Sequence, residues 1–400
     1  MTSRPLHALL LPAGDGRLMA ALAAALDGTG PAILPLDPAL PPARVSALLS
    51  AFTPIALETE SDTQRPFPAP AAPGSSGPGV PEDTAVVIAT SGSTGEPKGV
   101  QLSAAALLHS ARASLARIGA QPGERWLCPL PTSHIAGVGV LVRSLLSGVD
   151  PLVLPRLDPA GHDLRTLGCA HASLVPTQLR RLLAAQAEVA AFRTILLGGA
   201  AIPAALLAGA REAGAHVVTT YGMSETCGGC VYDGTPLAGV QVRTDGTGRI
   251  KITGPVLFSG YRNRPDLTAE ALAGGWFHTT DVGTLDPGGT LRVHGRADDI
   301  INTGGKKVAP AEVAAALETH PAVREAVVVG EPDPDWGQCV TAIVVPATPA
   351  SPPTLQALQT HVRQSLPPHA APKTLRLVRE IPLLASGKPD LVSLKVLSGS

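Results

Sequence analysis

The chain has 400 residues, of which 44% are hydrophobic and 16% are charged, and its formal net charge is -1. This length and composition are typical of a soluble globular protein with two or three domains and a sizeable core. The balanced charge, without a long block of lysine or arginine, argues against a nucleic-acid partner or a membrane-surface patch.

The amino-terminal segment and the cysteines predict a cytoplasmic protein. The apolar run around Leu9–Leu11 is too short for a signal peptide, and no run of about 18 uncharged apolar residues predicts a membrane span. Five cysteines, an odd number, are typical of free and mostly buried thiols in a reducing compartment. Cys227 and Cys230 form a CxxC without a second pair, which argues against a zinc or redox site.

The first third of the chain predicts a helix around Leu18–Leu26 and a Pro/Gly/Ser-rich loop from Arg65 to Pro81. An apolar strand, Ala85–Ala89, then leads into the polar string TSGSTGEPKG at residues 90–99. A helix is expected next, with Ser103 as its N-cap. The order of strand, polar loop and helix is typical of a phosphate site.

The middle of the chain, from Ala172 to Tyr221, alternates strand, helix, strand, helix and strand. Such alternation predicts a parallel sheet with helices on its faces. Ligands bind such sheets at the carboxyl ends of the strands, so we expect Gly198–Gly199 and Tyr221–Gly222 to lie on one rim.

The last part of the chain predicts a change of architecture. Short strands and turns from Arg249 to Val293 indicate a small barrel or sheet. A small α+β domain follows, and we place the boundary between domains 1–296 and 297–400. Its expected elements are a helix from Pro310, strands near Glu325–Val329 and Val340–Val345, a helix from Thr354, and a strand near Leu375–Val378.

The string at residues 90–99 has the chemistry of an anion-binding loop. Its glycines let backbone N–H groups turn toward an anion, and the hydroxyls of Ser91, Ser93 and Thr94 add donors. Lys98 adds positive charge. The string is not a P-loop of the GxxxxGK[ST] type, because Lys98 is followed by Gly99 and Val100.

This loop resembles the phosphate loop of the adenylate-forming superfamily, which comprises acyl- and aryl-CoA synthetases, peptide-synthetase adenylation domains and luciferases. Further motifs follow in that family's order between Ala85 and Asp390. The resemblance implies an α/β fold with a large domain of parallel sheets and a barrel-like β region, followed by a small mobile α+β lid. It implies ATP, Mg²⁺ and CoA as ligands, with these nucleotide-binding residues: Thr90, Ser91, Gly92, Ser93, Thr94, Gly95, Lys98, Gly199, Tyr221, Gly222, Asp281 and Arg296.

The same resemblance implies individual roles. Glu225 would bind Mg²⁺, for which a carboxylate is a suitable hard ligand, and Tyr221 would flank adenine. Thr226 would contact phosphate, Asp281 the ribose, and Arg296 the ribose or phosphate. Asp298 would be the hinge of the lid, and Lys388 would stabilise the negative charge of the adenylation step. The loop from Thr303 to Lys307 would line the tunnel for the pantetheine arm of CoA.

Two segments indicate the acid. Pro131–Ser144 closely resembles the acyl-pocket segment of o-succinylbenzoate–CoA ligases of menaquinone synthesis, and His171–Leu183 resembles the helix that follows it in those enzymes. The second carboxylate of such an acid needs a fixed cation or donors. We therefore name Arg143 and Arg181 as candidates and His134 as a pocket residue, although either arginine fits a helix-surface charge and His134 fits a packed core histidine.

Other functions remain open from the sequence. The chain fits another aryl- or acyl-CoA ligase, a freestanding amino-acid adenylation enzyme, or a non-catalytic binding protein on the same fold. The region before the phosphate loop is shorter than in most relatives, and Ser103–Ala104 stands where many of them carry Thr-His. Small-molecule ligands are expected, and a homo-oligomer is left open.

Overall fold

The computed structural model describes residues 3–61, 65–66, 79–91, 96–159, 161–383 and 389–396. Most of the predicted loop from Arg65 to Pro81 therefore lies outside the described residues, as does Lys388. The chain forms two compact units. The first unit contains Met1–Gly199, Ala213–Val242 and Ile252–His278, and the second contains Ala200–Glu212, Arg243–Lys251 and Thr279–Ser400. The domain boundary after residue 296 stays a prediction.

The first unit contains an eight-stranded sheet. Its central strands Ser3–Leu10, Ala32–Leu36, Ala56–Thr59 and Thr84–Ser91 are parallel. Antiparallel strands join them, namely Arg65–Pro66, Gly79–Pro81, Pro97–Ser103 and Gly260–Tyr261. The helices of this region are Gly16–Asp27, Pro42–Phe52 and Ala104–Ile118.

One detail of this sheet corrects the predicted order of strand, loop and helix. The polar loop connects Thr84–Ser91 to a second strand, Pro97–Ser103, and only then does the helix begin. Residues 100–103 alternate between buried and half-buried, so they fit a sheet, but the proline and glycine at the start of the strand suggested a loop. The predicted N-cap is confirmed, because Ser103 Oγ accepts a hydrogen bond from the backbone N–H of Ala106 at 3.1 Å.

The first unit also contains a seven-stranded sheet. Its strands His171–Leu174, Thr194–Leu197 and Val217–Met223 are parallel, as predicted, and Trp126–Cys128, which was not predicted, pairs in parallel with the first of them. Leu152–Val153 extends one edge and Gly228–Tyr232 with Thr235–Pro236 the other. The helices Ile135–Ser147 and Pro176–Ala184 belong to this unit, with 3₁₀ turns at Leu164–Thr166, Val189–Ala191 and Ser224–Thr226.

The predicted β-rich region consists mainly of short strands, as expected, but includes one strand of ten residues and one unexpected helix. The strands are Gln241–Thr244, Arg249–Thr253, Leu272–Ala273, Trp276–Leu285 and Leu291–Arg296. The helix Pro265–Ala271 was missed because it buries no residue and so has no apolar periodicity.

The second unit contains the predicted small α+β fold. Its sheet has Val323–Asp333 antiparallel to Gly337–Pro346, with Ile301–Thr303, Lys306–Val308 and Thr374–Leu377 completing it. The helices of this unit are Ala204–Glu212, Pro310–Glu318, Leu355–Val362 and Leu391–Val396, with 3₁₀ turns at Ala297–Asp299 and Pro368–Ala370. The elements expected here from the sequence are confirmed.

Two further predictions can be compared with this structure. All five cysteines are buried and free, as expected. Burial raises the pKa of Cys128 to about 11 and that of Cys230 to about 12, so these thiols stay protonated. Within the described residues, no helix is both long and apolar enough to cross a membrane.

Candidate active site

Two glycine-containing segments meet at the carboxyl edge of the second sheet. Strands Thr194–Leu197 and Val217–Met223 run in parallel, so the segments that follow them share an edge. A Cβ atom on Gly198 would lie 2.2 Å from Oγ1 of Thr220, which is too close for any residue but glycine. The predicted rim is therefore present in the structure.

A short turn, Ser224–Thr226, follows the second of these strands and is locked by its last residue. The hydroxyl of Thr226 accepts a hydrogen bond from the backbone N–H of Met223 at 2.9 Å and donates one to the carbonyl of Gly228 at 2.7 Å. Gly222 lets the same hairpin close, because a Cβ there would lie 2.0 Å from the carbonyl oxygen of Gly228. Since Thr226 is fully buried, its hydroxyl serves the turn in this conformation.

Glu225, in the middle of this turn, is held by a tyrosine that the sequence analysis did not single out. The Tyr261 hydroxyl donates a hydrogen bond to Oε1 of Glu225 at 2.8 Å. Burial first, and then the nearby Glu225 carboxylate, raise the pKa of Tyr261, so its phenol keeps the proton it donates. No described lysine, arginine or histidine forms an ion pair with Glu225, which leaves the second carboxylate oxygen available to a cation.

Lys98 reaches the same place from the phosphate-loop hairpin. Its Nζ lies 5.3 Å from the centre of the Tyr261 ring, within the range of a cation–π contact. Lys98 and Thr90 face each other across the antiparallel strands, and Thr90 Oγ1 donates to the carbonyl of Lys98 at 3.3 Å. Gly92, Ser93, Thr94 and Gly95 lie outside the described residues, so only the base of this loop is placed.

The three candidate acid-binding residues have different environments. His134 is half-buried at the N-cap of helix Ile135–Ser147, and Arg181 is exposed on the last turn of helix Pro176–Ala184. Arg143 is buried, which neither interpretation of it from the sequence anticipated. The roles of these three residues in binding the acid stay predictions.

Arg143 lies against the sheet rather than on the helix surface. Its guanidinium carbon is 4.4 Å from the centre of the Trp126 ring, and Nη2 donates to Oγ of Ser173 at 3.0 Å. Its Nε has no hydrogen-bond partner among the described residues. Burial lowers the pKa of Arg143, and the nearby Tyr232 and Cys128 act in the opposite direction.

Gln178 joins the two segments that indicated the acid. Its side-chain amide donates to the carbonyl of Pro129 at 2.6 Å and accepts from the backbone N–H of Val175 at 3.1 Å. The start of helix Pro176–Ala184 is therefore tied to the chain that leads into Pro131–Ser144.

In the second unit, Asp281 and Arg296 form a cross-strand pair. They face each other on antiparallel strands, and Nη2 of Arg296 donates to Oγ1 of Thr280 at 3.2 Å. Arg296 is exposed and Asp281 half-buried. Asp298, the predicted hinge, is exposed in the turn Ala297–Asp299.

The predicted pantetheine loop is the tight turn of a hairpin in the second unit. Gly304 and Gly305 have φ angles of +56° and +74°, the left-handed region that favours glycine. A Cβ on Gly304 would lie 2.5 Å from Cε3 of Trp336, whose exposed ring also has Nζ of Lys373 at 3.6 Å from its centre.

Among the described residues, no group of three or more histidine, cysteine, aspartate and glutamate side chains could hold a metal ion. A single carboxylate such as that of Glu225 is compatible with Mg²⁺, because this ion typically takes one or two protein carboxylates and completes its octahedron with phosphate oxygens and water.

Known proteins resemble the chain over most of its length. The AMP-binding enzyme family matches residues 52–262, and the family of AMP-binding enzyme C-terminal domains matches residues 312–388. A probable 2-succinylbenzoate–CoA ligase of Mycobacterium tuberculosis is 47% identical over 79% of this chain and 85% of its own. The 2-succinylbenzoate–CoA ligase of Bacillus cereus is 34% identical over 77% of this chain and 68% of its own.

Solved structures agree on the fold. The o-succinylbenzoate CoA synthetase of Bacillus subtilis, in complex with the acyl-adenylate intermediate OSB-AMP, has a TM-score of 0.83 and 28% identity, covering 98% of this chain and 88% of its own. The amide bond synthetase McbA of Marinactinospora thermotolerans has a TM-score of 0.84 and 28% identity, covering 100% and 90%. These matches confirm the expected superfamily and fold, and the chain belongs to the AMP-binding enzyme family.

Proposed function

We propose that this protein is an AMP-forming 2-succinylbenzoate–CoA ligase of menaquinone biosynthesis, acting in the cytoplasm. The observation that carries the acid assignment is the 47% identity to the ligase of M. tuberculosis over 85% of that chain. The geometry supports the reaction type, because one rim of the first unit presents the base of an anion-binding loop beside a carboxylate that has no cationic partner among the described residues.

The reaction has two steps. In the first, a carboxylate oxygen of the acid attacks the α-phosphorus of ATP, the bond to the β-phosphate bridging oxygen breaks, and pyrophosphate leaves. In the second, the sulfur of CoA attacks the acyl carbon, the acyl–oxygen bond breaks, and AMP leaves while the thiol proton is released. The intermediate is an acyl-adenylate, the class of compound bound in the B. subtilis complex.

The first unit supplies the phosphate end of the ATP site in this proposal. The loop at residues 90–98 holds the phosphates through backbone N–H groups and Lys98, whose ammonium stands at the base of the loop. Glu225 holds Mg²⁺, which neutralises phosphate charge when bound. Tyr221 flanks adenine at the rim, next to Gly222 and across from Gly199. The phosphate contact of Thr226 stays a prediction, since its hydroxyl is engaged in the turn.

Other proposed roles belong to residues of the second unit. Asp281 is proposed to contact the ribose and Arg296 the ribose or phosphate, and the two residues face each other across antiparallel strands. Asp298 is proposed as the hinge that exchanges the two half-reactions. Lys388 is proposed to act in adenylation only.

The acid pocket is proposed to include His134 and the segment Pro131–Ser144. Of the two arginines, Arg181 is the candidate for direct contact with the second carboxylate, because its side chain is exposed. Arg143 has one N–H without a partner among the described residues, but it lies beneath its helix. We therefore propose that Arg143 supports the pocket through Ser173 and Trp126.

Product analysis tests the proposal. The purified protein is incubated with ATP, Mg²⁺ and CoA and with 2-succinylbenzoate, benzoate or a fatty acid, and thioester and AMP are quantified. We expect 2-succinylbenzoyl-CoA and AMP in equal amounts, and far less product from the acids with one carboxylate. Thioesters from benzoate or the fatty acid but none from 2-succinylbenzoate would refute the acid. A further reaction replaces CoA with an amine and tests for amide formation, since the fold is shared with an amide bond synthetase.

A further inference from the structure

Tyr261 lies where the two halves of the proposed phosphate site meet in the first unit. Its strand, Gly260–Tyr261, pairs with Pro97–Ser103, the strand that carries Lys98. Its hydroxyl donates to Oε1 of Glu225, which lies 36 residues earlier in the chain. One aromatic side chain therefore touches both the lysine and the carboxylate.

The surroundings of Tyr261 hold its ring in one orientation. Only 7% of the residue is exposed, and the ring packs against Phe258 with centroids 4.9 Å apart. The backbone N–H of Tyr261 donates to Oγ1 of Thr268 at 2.8 Å. The next residue, Arg262, is buried and donates to the carbonyls of Phe52 and Gly79, which anchors the strand.

Among the described residues, only one of the two oxygens of the Glu225 carboxylate has a hydrogen-bond partner. Tyr261 occupies Oε1 of Glu225, and the backbone carbonyl of Glu225 accepts from the N–H of Phe258 at 2.9 Å. Both ends of the glutamate are thus fixed, while Oε2 has no hydrogen-bond partner among the described residues. A metal ligand that is oriented by a hydrogen bond to its other oxygen binds its ion more tightly, because less rotamer entropy is lost on binding.

We infer that Tyr261 is a positioning residue for the metal–phosphate site. Its hydroxyl orients the Glu225 carboxylate so that Oε2 faces the metal ion, and its ring face holds the ammonium of Lys98 beside the phosphates. The inference rests on the proposed function only in taking Glu225 as the Mg²⁺ ligand and Lys98 as a phosphate contact. It does not depend on which acid is activated.

Two substitutions separate the two roles. Tyr261→Phe removes the hydroxyl and keeps the ring, so it should weaken the Mg²⁺-dependent part of ATP binding and leave ATP binding in EDTA unchanged. Loss of a hydrogen-bonded support of a metal ligand typically costs about 10–100-fold in metal affinity. Tyr261→Leu removes the aromatic face as well, so it should also weaken ATP binding in EDTA.

Isothermal titration calorimetry with ATP, at several free Mg²⁺ concentrations and without any organic acid, measures both effects. Mg²⁺ lowers the ATP dissociation constant, and we measure the Mg²⁺ concentration that gives half of this effect. We expect this concentration to be roughly tenfold higher in Tyr261→Phe than in the wild type. The variant Glu225→Gln should lose the Mg²⁺ effect, and Tyr261→Phe added to it should change nothing further, because the tyrosine acts through that carboxylate.

Tyr232→Phe is the matched control. The Tyr232 hydroxyl is also buried and hydrogen-bonded, to Oγ of Ser114 at 2.7 Å, so its loss should lower the melting temperature in a similar way. It should leave the Mg²⁺ dependence of ATP binding unchanged.

Three results would overturn the inference. The first is an unchanged Mg²⁺ requirement in Tyr261→Phe, and the second is an equal rise in Tyr232→Phe, which would indicate a general loss of stability. The third is an unchanged Mg²⁺ effect in Glu225→Gln, which would show that Glu225 does not bind the metal ion. Each can be told apart from an error in the acid, because thioester formation from 2-succinylbenzoate is measured separately.

Discussion

In the seven-stranded sheet of the first unit, one glutamate lies at the amino ends of the parallel strands, here called the amino edge, and another at their carboxyl ends, the carboxyl edge. The environments of these two glutamates differ. Glu124 precedes strand Trp126–Cys128, at the amino edge. Its Oε2 accepts from the backbone N–H of Gln121 at 2.6 Å and from Nε2 of His171 at 2.9 Å, and its Oε1 accepts from Nη1 of Arg193 at 2.5 Å. Glu225 follows the last parallel strand, at the carboxyl edge, and among the described residues only Oε1 of its carboxylate is bonded.

The difference separates a carboxylate that is occupied by hydrogen bonds within the sheet from one that we propose to be a metal ligand. Both oxygens of Glu124 accept hydrogen bonds, from Gln121 in the preceding loop and from His171 and Arg193 at the starts of neighbouring strands, so this carboxylate ties those strands together. Glu225 is fixed by one bond and keeps an oxygen for a cation. Ligands of parallel sheets bind at the carboxyl edge, where Glu225 lies.

Glu225→Gln should have the strongest effect on catalysis. The amide cannot supply the negative charge that a metal ion needs, so adenylate formation should fall by about 100–1000-fold, the usual loss when one fixed electrostatic contact of a transition state is removed. Stability should change little, because Tyr261 can still donate to the amide oxygen. Single-turnover release of pyrophosphate, with urea unfolding as the control, measures both. A rate close to that of the wild type would contradict the role of Glu225.

Glu124→Gln should have the opposite profile. It removes the charge from a site where three groups donate to it, and hydrogen bonds to a charged group contribute about 1.5–3 kcal/mol. We expect the free energy of unfolding to fall by an amount of this order, measured from the urea midpoint, while the adenylation rate of the folded protein is unchanged. A variant that stays as stable as the wild type but loses activity would reverse the roles of the two edges.

A weaker effect is expected in the pH dependence of stability at the amino edge. Burial lowers the pKa of His171, and the Glu124 hydrogen bond only partly opposes this. The unfolded chain therefore binds a proton below about pH 6.5 that the folded chain does not, so stability falls as the pH falls through this value. His171→Phe should remove this component, which for one proton is at most about 1.4 kcal/mol per pH unit.

Glu124 adds a second, more acidic component. Burial raises its pKa, but the hydrogen bonds from Gln121, His171 and Arg193 outweigh burial and lower it overall. Its contribution to stability is present above the unfolded value of about 4.3 and is lost as the pH falls through and below it.

Urea midpoints of the wild type and His171→Phe between pH 5 and 7 isolate the contribution of the histidine to the pH dependence of stability. Identical slopes in the two proteins would show that His171 does not titrate on unfolding.

Local pattern predicted much of the fold. Alternating strands and helices between residues 172 and 221 indicated the parallel sheet, and the cap at Ser103 and the elements after Pro310 are as expected. Strand Pro97–Ser103 and helix Pro265–Ala271 were missed. The first begins with turn-forming residues and the second buries nothing, so neither has the periodicity that predicts an element.

Motifs in the sequence pointed to the candidate site, but its contacts could not be predicted. Glu225 was identified by the string around it, whereas Tyr261 stands alone after an apolar stretch and meets Glu225 only through folding. Its one sequence signal is scarcity, because the chain has three tyrosines. Arg143 shows the same limit. Periodicity cannot reveal that a lone arginine on an apolar helix turns toward Trp126 and Ser173.

Exchange of labelled pyrophosphate into ATP, without CoA, is the decisive assay for activation of 2-succinylbenzoate as an adenylate by this protein. The first half-reaction is reversible and needs only ATP, Mg²⁺ and the acid, so the label enters ATP only if an acyl-adenylate forms. We predict exchange with 2-succinylbenzoate that requires Mg²⁺, is lost in Glu225→Gln and persists in Glu124→Gln. Exchange supported by benzoate or a fatty acid but absent with 2-succinylbenzoate would show that the protein activates a different acid.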